Sequence, residues 1–323
     1  MTESDLPTVT IGITAFNCED SLRRAVASGL EQEYLNKEIL IIDDCSIDGT
    51  HDIALELAAT YKEIRVIRAY KNGGVATSRN LIINNTEAEF IVFFDDDDVS
   101  EPNRISEQVK SILACEQEDH TKLVICHTAR LVKYLTGHVR YEPSLGQTAG
   151  SEGVNGPIAE AILCGTNNKD HKGACATCSQ MARTSTYRQI GGFDENLRRS
   201  EDTEFSIRAA EMEATFVGLE MPLVQQYMTR GKDKSLELEL DQWRYIFMQH
   251  RSIVERHMTY SFAVHWLKLR HLWLGQRYTA FASNLAFLVA TSPIQTTKKI
   301  IFALPNISLN SAMSSFHTDN KRR

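Results

Sequence analysis

Residues 89–98 read EFIVFFDDDD, a five-residue apolar run that ends in four consecutive aspartates. An apolar run of this length, bounded by polar residues, is typical of a buried β-strand. Like charges repel and resist burial, so four carboxylates at the end of such a strand need a compensating partner. In an extended chain, alternation places Asp95 and Asp97 on one side and Asp96 and Asp98 on the other. A pair on one side suits Mg²⁺ or Mn²⁺, whereas an acidic turn that caps the next helix is the alternative.

The residues before this run alternate apolar, strand-like segments with helical patterns. The pattern predicts strands at 9–14, 38–43, 64–69 and 89–94, and helices at 21–32, 52–61 and 75–84. Strands separated by helices indicate a parallel α/β sheet of right-handed βαβ units, in which ligands bind beyond the carboxyl ends of the strands. Three of these ends are polar and read TAFN at 14–17, DD at 43–44 and DDDD at 95–98. These strand ends are therefore the candidate site.

The rest of the chain is organised differently. Residues 111–235 are less regular, and Gly- and Asn-rich stretches within 146–173 predict long loops over a site. From residue 236 the apolar residues recur at helical spacing, with a break at 291–293. We therefore expect one domain at 1–235 and a helical C-terminal region at 236–323.

Composition and charge exclude several classes of protein. The chain has 323 residues, and its 35 basic and 42 acidic residues give a net charge of −7. A negative chain disfavours nucleic acid as the partner, because phosphate backbones require clustered positive charge. The first eight residues lack a secretory signal pattern, and the apolar stretch at 281–290 is too short to span a bilayer. We expect a cytoplasmic protein whose seven scattered cysteines are reduced thiols, not zinc ligands.

The second strand end carries an acidic pair and a turn of small residues, DDCSIDGT at 43–50. From Asp44 onward it imitates the opening of an EF-hand loop, but Leu55 stands where calcium needs a glutamate. The pair suits the base N–H and ribose hydroxyls of a nucleoside, which are hydrogen-bond donors. Phe16 could stack on a base, although a lone aromatic residue is more often core. Arg79 could reach a diphosphate, although most arginines lie on the surface.

A third candidate follows the sequence GGFDENLRRS at 191–200, where Glu201 and Asp202 precede a predicted helix at 203–211. The helix dipole stabilises a carboxylate in the first turn in its charged form, as a general base requires. Helix capping alone explains the same residues.

Taken in order, the motifs resemble those of the family 2 inverting glycosyltransferases of bacterial polysaccharide synthesis, which have the GT-A fold. They are TAFN (14–17), SGLEQ (28–32), EILIIDDCSIDGT (38–50), NGGVATSRN (72–80), FFDDDDVSEP (93–102), GGFDE (191–195) and ED (201–202). The resemblance implies a Rossmann-like α/β/α sandwich with a helical C-terminal extension. It also implies a nucleotide-binding half at 1–110 and an acceptor half at 111–235.

The resemblance assigns a role to each candidate residue. The donor-binding residues would be Thr14, Phe16, Asp43, Asp44, Arg79, Asp95 and Asp96. Asp97, together with Asp95, would bind Mg²⁺ or Mn²⁺, and Asp202 would be the catalytic base. The implied reaction moves a sugar from a nucleotide-diphosphate donor, a UDP-sugar by resemblance, to a hydroxyl of a glycan or lipid-linked acceptor.

The chain departs from the family pattern at two places. Cys45 stands where the family usually has glycine in D-D-G-S, so the turn is expected to differ slightly. The late motif, often Tyr-Arg-x-His, reads YMTRGKDKS at 227–235 and contains no histidine. Arg230 or Lys232 is the candidate to replace its charge.

Two alternatives for the function stay open, a nucleotidyltransferase and a catalytically silent sugar-nucleotide-binding protein. A nucleotidyltransferase requires a Gly-rich, basic loop after the first strand, where this chain has TAFN. A catalytically silent protein is disfavoured because the acids at 95, 97 and 202 are intact. The C-terminal helices are interpreted either as a cap on the domain core or as a face for peripheral membrane contact.

Overall fold

The computed structural model describes residues 6–119, 123–147, 152–166, 173–228 and 235–303. The chain divides into two compact units, one of Met1–Ala161 with Asn167–Thr229 and one of Ile162–Thr166 with Arg230–Arg323. Every candidate site residue that the structure describes belongs to the first unit.

The first unit begins with the alternation of strands and helices that the apolar runs predict. Its elements are β1 (Val9–Ala15), α1 (Leu22–Leu30), β2 (Lys37–Asp43), α2 (Thr50–Thr60), β3 (Ile64–Arg68), α3 (Val75–Asn84) and β4 (Phe90–Asp95). β1 pairs in parallel with β2 and β4, and β2 pairs in parallel with β3. The prediction of a parallel sheet is confirmed for this half of the unit.

The second half of the unit is more regular than its sequence indicates. Its elements are β5 (Val99–Ser100), α4 (Arg104–Asp119), β6 (Val124–Lys133), β7 (Val139–Glu142), α5 (Ile158–Cys164), a 3-10 turn (Thr177–Ser179), β8 (Gln180–Arg183), α6 (Thr184–Ile190), α7 (Glu201–Glu211) and β9 (Thr215–Tyr227). The strand order is β3-β2-β1-β4-β8-β6-β9-β5, with β7 paired to β6. β8 runs antiparallel to both β4 and β6. The order of these strands in the sheet depends on pairing between segments that are distant in the chain. Local periodicity does not predict such pairing.

The parallel strands β1, β2 and β4 are largely apolar and carry polar residues at their carboxyl ends. All residues of β2 from position 39 to 43 are buried, so the strand shows a continuous apolar run and no alternation. A Cβ atom at Gly12 would lie 2.7 Å from Cγ2 of Ile82, so only glycine allows α3 to pack this closely on β1.

The second unit is helical in the part that runs from residue 235 to 303. Its helices are α8 (Leu236–Gln249), α9 (Arg251–His257), α10 (Tyr260–Leu274), α11 (Tyr278–Thr291) and α12 (Pro293–Ala303). The predicted break at 291–293 is the boundary of α11 and α12, where proline occupies the first helical position. A small apolar core joins α10 to α11 and consists of Phe262, Leu269 and Leu288. None of the described helices is long and apolar enough to cross a membrane.

Candidate active site

Three strand ends meet at one edge of the sheet. Thr14 of β1 lies opposite Asp95 of β4, and Ala15 of β1 lies opposite Asp43 of β2. The structure thus brings together the polar strand ends that the sequence singles out. Parallel pairing alone requires this, because it aligns the carboxyl ends of neighbouring strands.

Asp43 is buried at the end of β2 and faces two basic side chains. Its Oδ1 accepts a hydrogen bond from the backbone N–H of Ser46 at 3.0 Å. Its Oδ2 lies 3.1 Å from Nδ1 of His51 and 3.3 Å from Nε of Arg68. These contacts hold the carboxylate in one orientation at the strand edge.

Asp44 is bonded to the chain itself. Its two carboxylate oxygens accept hydrogen bonds from the backbone N–H groups of Gly73 and Gly74, at 2.8 and 2.7 Å. The bonds tie the turn after β2 to the start of α3. A carboxylate oxygen has two lone pairs, so a ribose hydroxyl would add to these bonds without replacing them.

Cys45, between these acids and the rest of the turn, has a φ of +63°. A residue other than glycine pays roughly 1–2 kcal/mol for this left-handed conformation. The turn therefore has a backbone conformation typical of glycine, although residue 45 is cysteine. The difference expected from the missing glycine is backbone strain, and the course of the chain is unchanged.

The aspartate run becomes a turn after Asp95. The backbone N–H of Asp98 donates to the carbonyl oxygen of Asp95 at 3.4 Å, which folds the run back. The prediction that alternation separates Asp95 from Asp98 is therefore wrong, because alternation holds only in extended backbone. One carboxylate oxygen of Asp95, one of Asp98 and Sγ of Cys178 lie within 4.8 Å of one another.

Other elements fix this turn in place. Oδ2 of Asp96 accepts a hydrogen bond from the backbone N–H of Phe16 at 3.2 Å, and Oδ1 of Asp98 accepts one from Tyr227 at 3.0 Å. Burial, assisted by the charge of Asp97, raises the pKa of Asp96 to about 7. Burial also raises the pKa of Asp98. A cation at this edge would offset the desolvation and repulsion that cause both shifts.

The donor atoms at the turn fit a divalent cation. Carboxylate oxygens are the ligands that Mg²⁺ and Mn²⁺ prefer. Oδ2 of Asp98 is buried, and no described residue forms a hydrogen bond with it. Cys178 is a neighbouring donor, although the sequence predicts that the cysteines are reduced thiols and not metal ligands. Within the described residues the cluster does not include Asp97, whose assignment as the direct ligand stays a prediction.

Arg79 is buried and joins the aspartate run to the start of α7. Its Nη1 donates to Oε1 of Glu201 in a short contact, and its Nη2 donates to Oδ1 of Asp95 at 3.3 Å. The rings of Phe93 and Phe193 flank the guanidinium at 5.8 and 5.4 Å. Burial raises the pKa of Glu201 to about 7, against the lowering effect of Arg79. The sequence pattern gives Glu201 no role, because its partner lies 122 residues away in the chain.

Asp202 is half-buried in the first turn of α7, where the sequence predicts the general base. Its Oδ1 accepts hydrogen bonds from the backbone N–H and from Oγ1 of Thr203, at 2.7 and 3.2 Å. Its charge acts on the buried guanidinium of Arg79, which also contacts Asp95. The acid at the start of α7 and the acids after β4 therefore belong to one electrostatic cluster.

The ring of Phe16 is 46% exposed, so the interpretation of this residue as core is wrong. Two cations that contact the ring of Tyr227, whose backbone N–H binds Asp98, were not singled out in the sequence. Nη2 of Arg24 donates to the carbonyl oxygen of Asp97 at 2.7 Å, and Nζ of Lys133 lies 4.9 Å from the ring centre of Tyr227. The two cations that the sequence proposed, Arg230 and Lys232, lie outside the described residues.

The chain is similar to known glycosyltransferases in sequence. Residues 10–128 match the model of Glycosyl transferase family 2. The putative glycosyltransferase EpsE of Bacillus subtilis is 29% identical over 210 residues, which are 64% of this chain and 67% of the relative. WfaP of Escherichia coli, a UDP-Glc:alpha-D-GlcNAc-diphosphoundecaprenol beta-1,3-glucosyltransferase, is 38% identical over 103 residues, which are 31% of this chain and 39% of the relative. The chain thus matches less than two thirds of WfaP.

The fold has solved counterparts. The mannosyltransferase PcManGT from Pyrobaculum calidifontis, in complex with GDP-Man and Mn²⁺, matches with a TM-score of 0.59 at 14% identity. The match covers 98% of this chain and 86% of that chain. At such an identity the likeness shows the fold, and it confirms the expected GT-A architecture with a helical C-terminal region.

Proposed function

The chain is a glycosyltransferase with a family 2 domain, and from this premise we propose that it transfers one sugar with inversion at the anomeric carbon. The donor is a nucleotide-diphosphate sugar, with uridine as the preferred base. The acceptor is a hydroxyl of a glycan or of a lipid-linked saccharide. The relative WfaP carries a donor and an acceptor of these classes in its name, which supports the choice for this chain.

One observation carries the proposal. Acids from two distant segments, Asp95 after β4 and Glu201 at the start of α7, both bind the buried guanidinium of Arg79. Asp202 is next in the chain and its charge acts on the same guanidinium, which supports assigning it to the site of the aspartate turn. A transferase needs this neighbourhood, because the acceptor oxygen and the anomeric carbon of the donor must be held about 3–3.5 Å apart before they react.

The nucleoside would lie over the ends of β1 and β2. The exposed ring of Phe16 offers a stacking surface for the base, beside Thr14. Asp43 and Asp44, which are held in fixed orientations, would accept hydrogen bonds from the base and from the ribose. Asp96 would contact the donor close to this turn.

Asp95 and Asp97 would hold Mg²⁺ or Mn²⁺, with Asp98 and Cys178 next to Asp95. When bound, the ion stabilises the negative charge that develops on the leaving diphosphate. Arg24 binds the same turn and would add positive charge there.

Asp202 would act as the general base. It takes the proton of the acceptor hydroxyl while the acceptor oxygen bonds to the anomeric carbon on the face opposite the nucleotide. The bond from this carbon to the diphosphate oxygen breaks, and the nucleoside diphosphate leaves with the electron pair. Attack from the opposite face inverts the configuration, as with a single displacement in other glycosyl chemistry.

The experiment is a panel of nucleotide sugars tested by thermal unfolding, each with Mn²⁺, with Mg²⁺ and with EDTA. A ligand at 100 times its Kd stabilises the folded state by about 2.7 kcal/mol through mass action. We expect a UDP-sugar to raise the Tm much more in the presence of the metal than with EDTA, where only weak binding remains. If no nucleotide sugar raises the Tm with either metal, the proposal is wrong.

The same donor then separates the transferase from the alternatives. Slow release of free sugar from the donor, dependent on the metal, supports a transferase over a silent binding protein. Release of pyrophosphate when the chain is given a nucleoside triphosphate and a sugar phosphate would favour a nucleotidyltransferase instead.

We also propose that the helices after residue 235, outside the catalytic domain, make peripheral contact with a membrane on its cytoplasmic face. Residues 256–303 contain six lysines and arginines and no aspartate or glutamate, although the whole chain has a net charge of −7. The side chains of Phe287, Val289, Ile294 and Ile301 are 44%, 49%, 72% and 58% exposed. Exposed apolar side chains among cations suit an anionic bilayer surface, where both kinds of group gain free energy.

A further inference from the structure

We infer that Glu201 is the positioning residue of this site, because it fixes Arg79 and through it the carboxylate of Asp95. The inference rests on the proposed function, and it adds a residue to which the sequence pattern assigns no role. Glu201 does not reach the proposed ligand in this account. It acts by keeping the guanidinium between the two acids.

The geometry leaves Arg79 little freedom. Its side chain is 5% exposed, with Glu201 on Nη1 and Asp95 at 3.3 Å from Nη2. Phe93 and Phe193 lie on the guanidinium at 5.8 and 5.4 Å, within the range of cation–π contact. A planar fork held at two nitrogens and bounded by two rings is fixed in both position and orientation.

Stability does not explain why this buried pair is present. A buried ion pair is often no more stabilising than apolar residues of similar volume, since both charges lose their hydration. The Nε of Arg79 is also buried, and it forms no hydrogen bond with any residue that the structure describes. Burying the Arg79–Glu201 pair and the Nε of Arg79 costs desolvation free energy. The geometry that the pair imposes on Asp95 explains why it is present.

Glu201 also determines how strongly the guanidinium of Arg79 interacts with Asp95 and Asp202. With Glu201 in place, one end of the guanidinium is occupied by a carboxylate that is 9% exposed in its side chain. Without its charge, the guanidinium would shift toward Asp95 and Asp202, whose charges already act on it. Asp95 would then be held by the arginine in place of a metal ion, and the cation affinity of the site would fall.

The test measures the affinity of UDP in the presence of Mn²⁺, together with kcat and KM, for Glu201→Gln. We expect the Mn²⁺-dependent affinity to fall by about 10- to 100-fold, the usual size of a hydrogen bond to a charged group. We expect KM for the donor to rise by a similar factor. The affinity of UDP measured in EDTA should stay unchanged, which a loss of fold would not allow.

The matched control is Glu204→Gln, in the same helix. Glu204 is also buried, but its carboxylate binds Arg208 at 2.7 Å, away from Arg79. It should lose stability without losing the Mn²⁺-dependent affinity of the folded fraction. Equal losses of affinity in the two variants would overturn the inference.

A second variant covers the case in which Glu201→Gln does not fold. Arg79→Met with Glu201→Gln removes both charges and leaves neither one unpaired. This double variant should fold and should bind UDP with Mn²⁺ as weakly as Arg79→Met alone. Binding at the wild-type level would overturn the inference. A wild-type chain that shows no Mn²⁺-dependent binding of UDP would instead overturn the proposed function, and the inference with it.

Discussion

The two units of this chain place their apolar and charged groups in opposite ways. In the first unit the apolar side chains of the sheet are buried, and acids and arginines gather at the strand ends, several of them buried as well. In the second unit large apolar side chains of α11 and α12 are exposed, and residues 256–303 carry only positive charge. Buried charge is costly unless it is paired, and exposed apolar surface is costly unless something covers it. The buried charges of the first unit indicate a catalytic site. The exposed apolar side chains of the second unit indicate a surface that binds a partner or a membrane.

The largest expected effect lies at the start of α7. Asp202→Asn removes the base but keeps the shape of the side chain, so we expect kcat to fall by about 10²–10⁴ while UDP and Mn²⁺ still bind. Steady-state kinetics measures kcat, and the thermal shift with UDP and Mn²⁺ measures whether binding is retained. Glu211→Gln, on the exposed end of the same helix, is the control and should keep its turnover. Normal turnover in Asp202→Asn would remove the chemical interpretation of the first unit.

Stability should separate a buried ion pair from an exposed one. Arg79→Met leaves Glu201 buried without its partner, and such a change costs roughly 3–5 kcal/mol in the free energy of unfolding. Adding Glu201→Gln should recover part of this loss.

The comparison variant in the second unit is Arg270→Met, which removes a pair with Glu239 in which the arginine is 42% exposed. Exposed pairs contribute about 0–1 kcal/mol, so urea denaturation should show little change. Similar losses in the free energy of unfolding of Arg79→Met and Arg270→Met would mean that the ion pair of the first unit is no more buried in effect than that of the second.

The apolar face of the second unit can be tested by sedimentation with vesicles. We expect the chain to bind phosphatidylglycerol vesicles and not phosphatidylcholine vesicles. Phe287→Glu with Ile294→Glu should weaken binding by about 10-fold or more, since each buried apolar side chain contributes roughly 1.5–3 kcal/mol.

Leu135→Glu is the matched control, because Leu135 is 64% exposed and belongs to the first unit. Vesicle binding should survive this change. If Phe287→Glu with Ile294→Glu leaves vesicle binding intact, or if it instead abolishes self-association, the face serves another contact.

The smallest expected effect concerns the turn after β2. Cys45→Gly removes a left-handed strain of roughly 1–2 kcal/mol, but glycine also raises the entropy of the unfolded chain by an amount worth roughly 0.4–1 kcal/mol. We expect a net gain in the free energy of unfolding of about 1 kcal/mol or less, measured with urea. Cys45→Ala, which keeps the strain, is the control. A loss of stability in Cys45→Gly would mean that the thiol makes a contact of its own.

The sequence predicted the first half of the sheet well because local periodicity and chain order decide it. Parallel strands joined by helices have their carboxyl ends at one edge, so Thr14, Asp43 and Asp95 could be placed together without coordinates. The sequence predicted less of the second half, where β8 pairs with β4 and β6 in the antiparallel sense. Pairing of that kind depends on contacts between distant segments, which leave no periodic trace.

The sequence by itself determined the α/β class, the position of the strand ends and the presence of acids there. Only the tertiary structure decided how those acids are used. It turned the aspartate run back so that Asp95 and Asp98 approach Cys178, and it joined Asp95 to Glu201 through Arg79. The physical reason is that burial and charge pairing act through space, so a carboxylate meets a partner from a distant segment only in the folded chain.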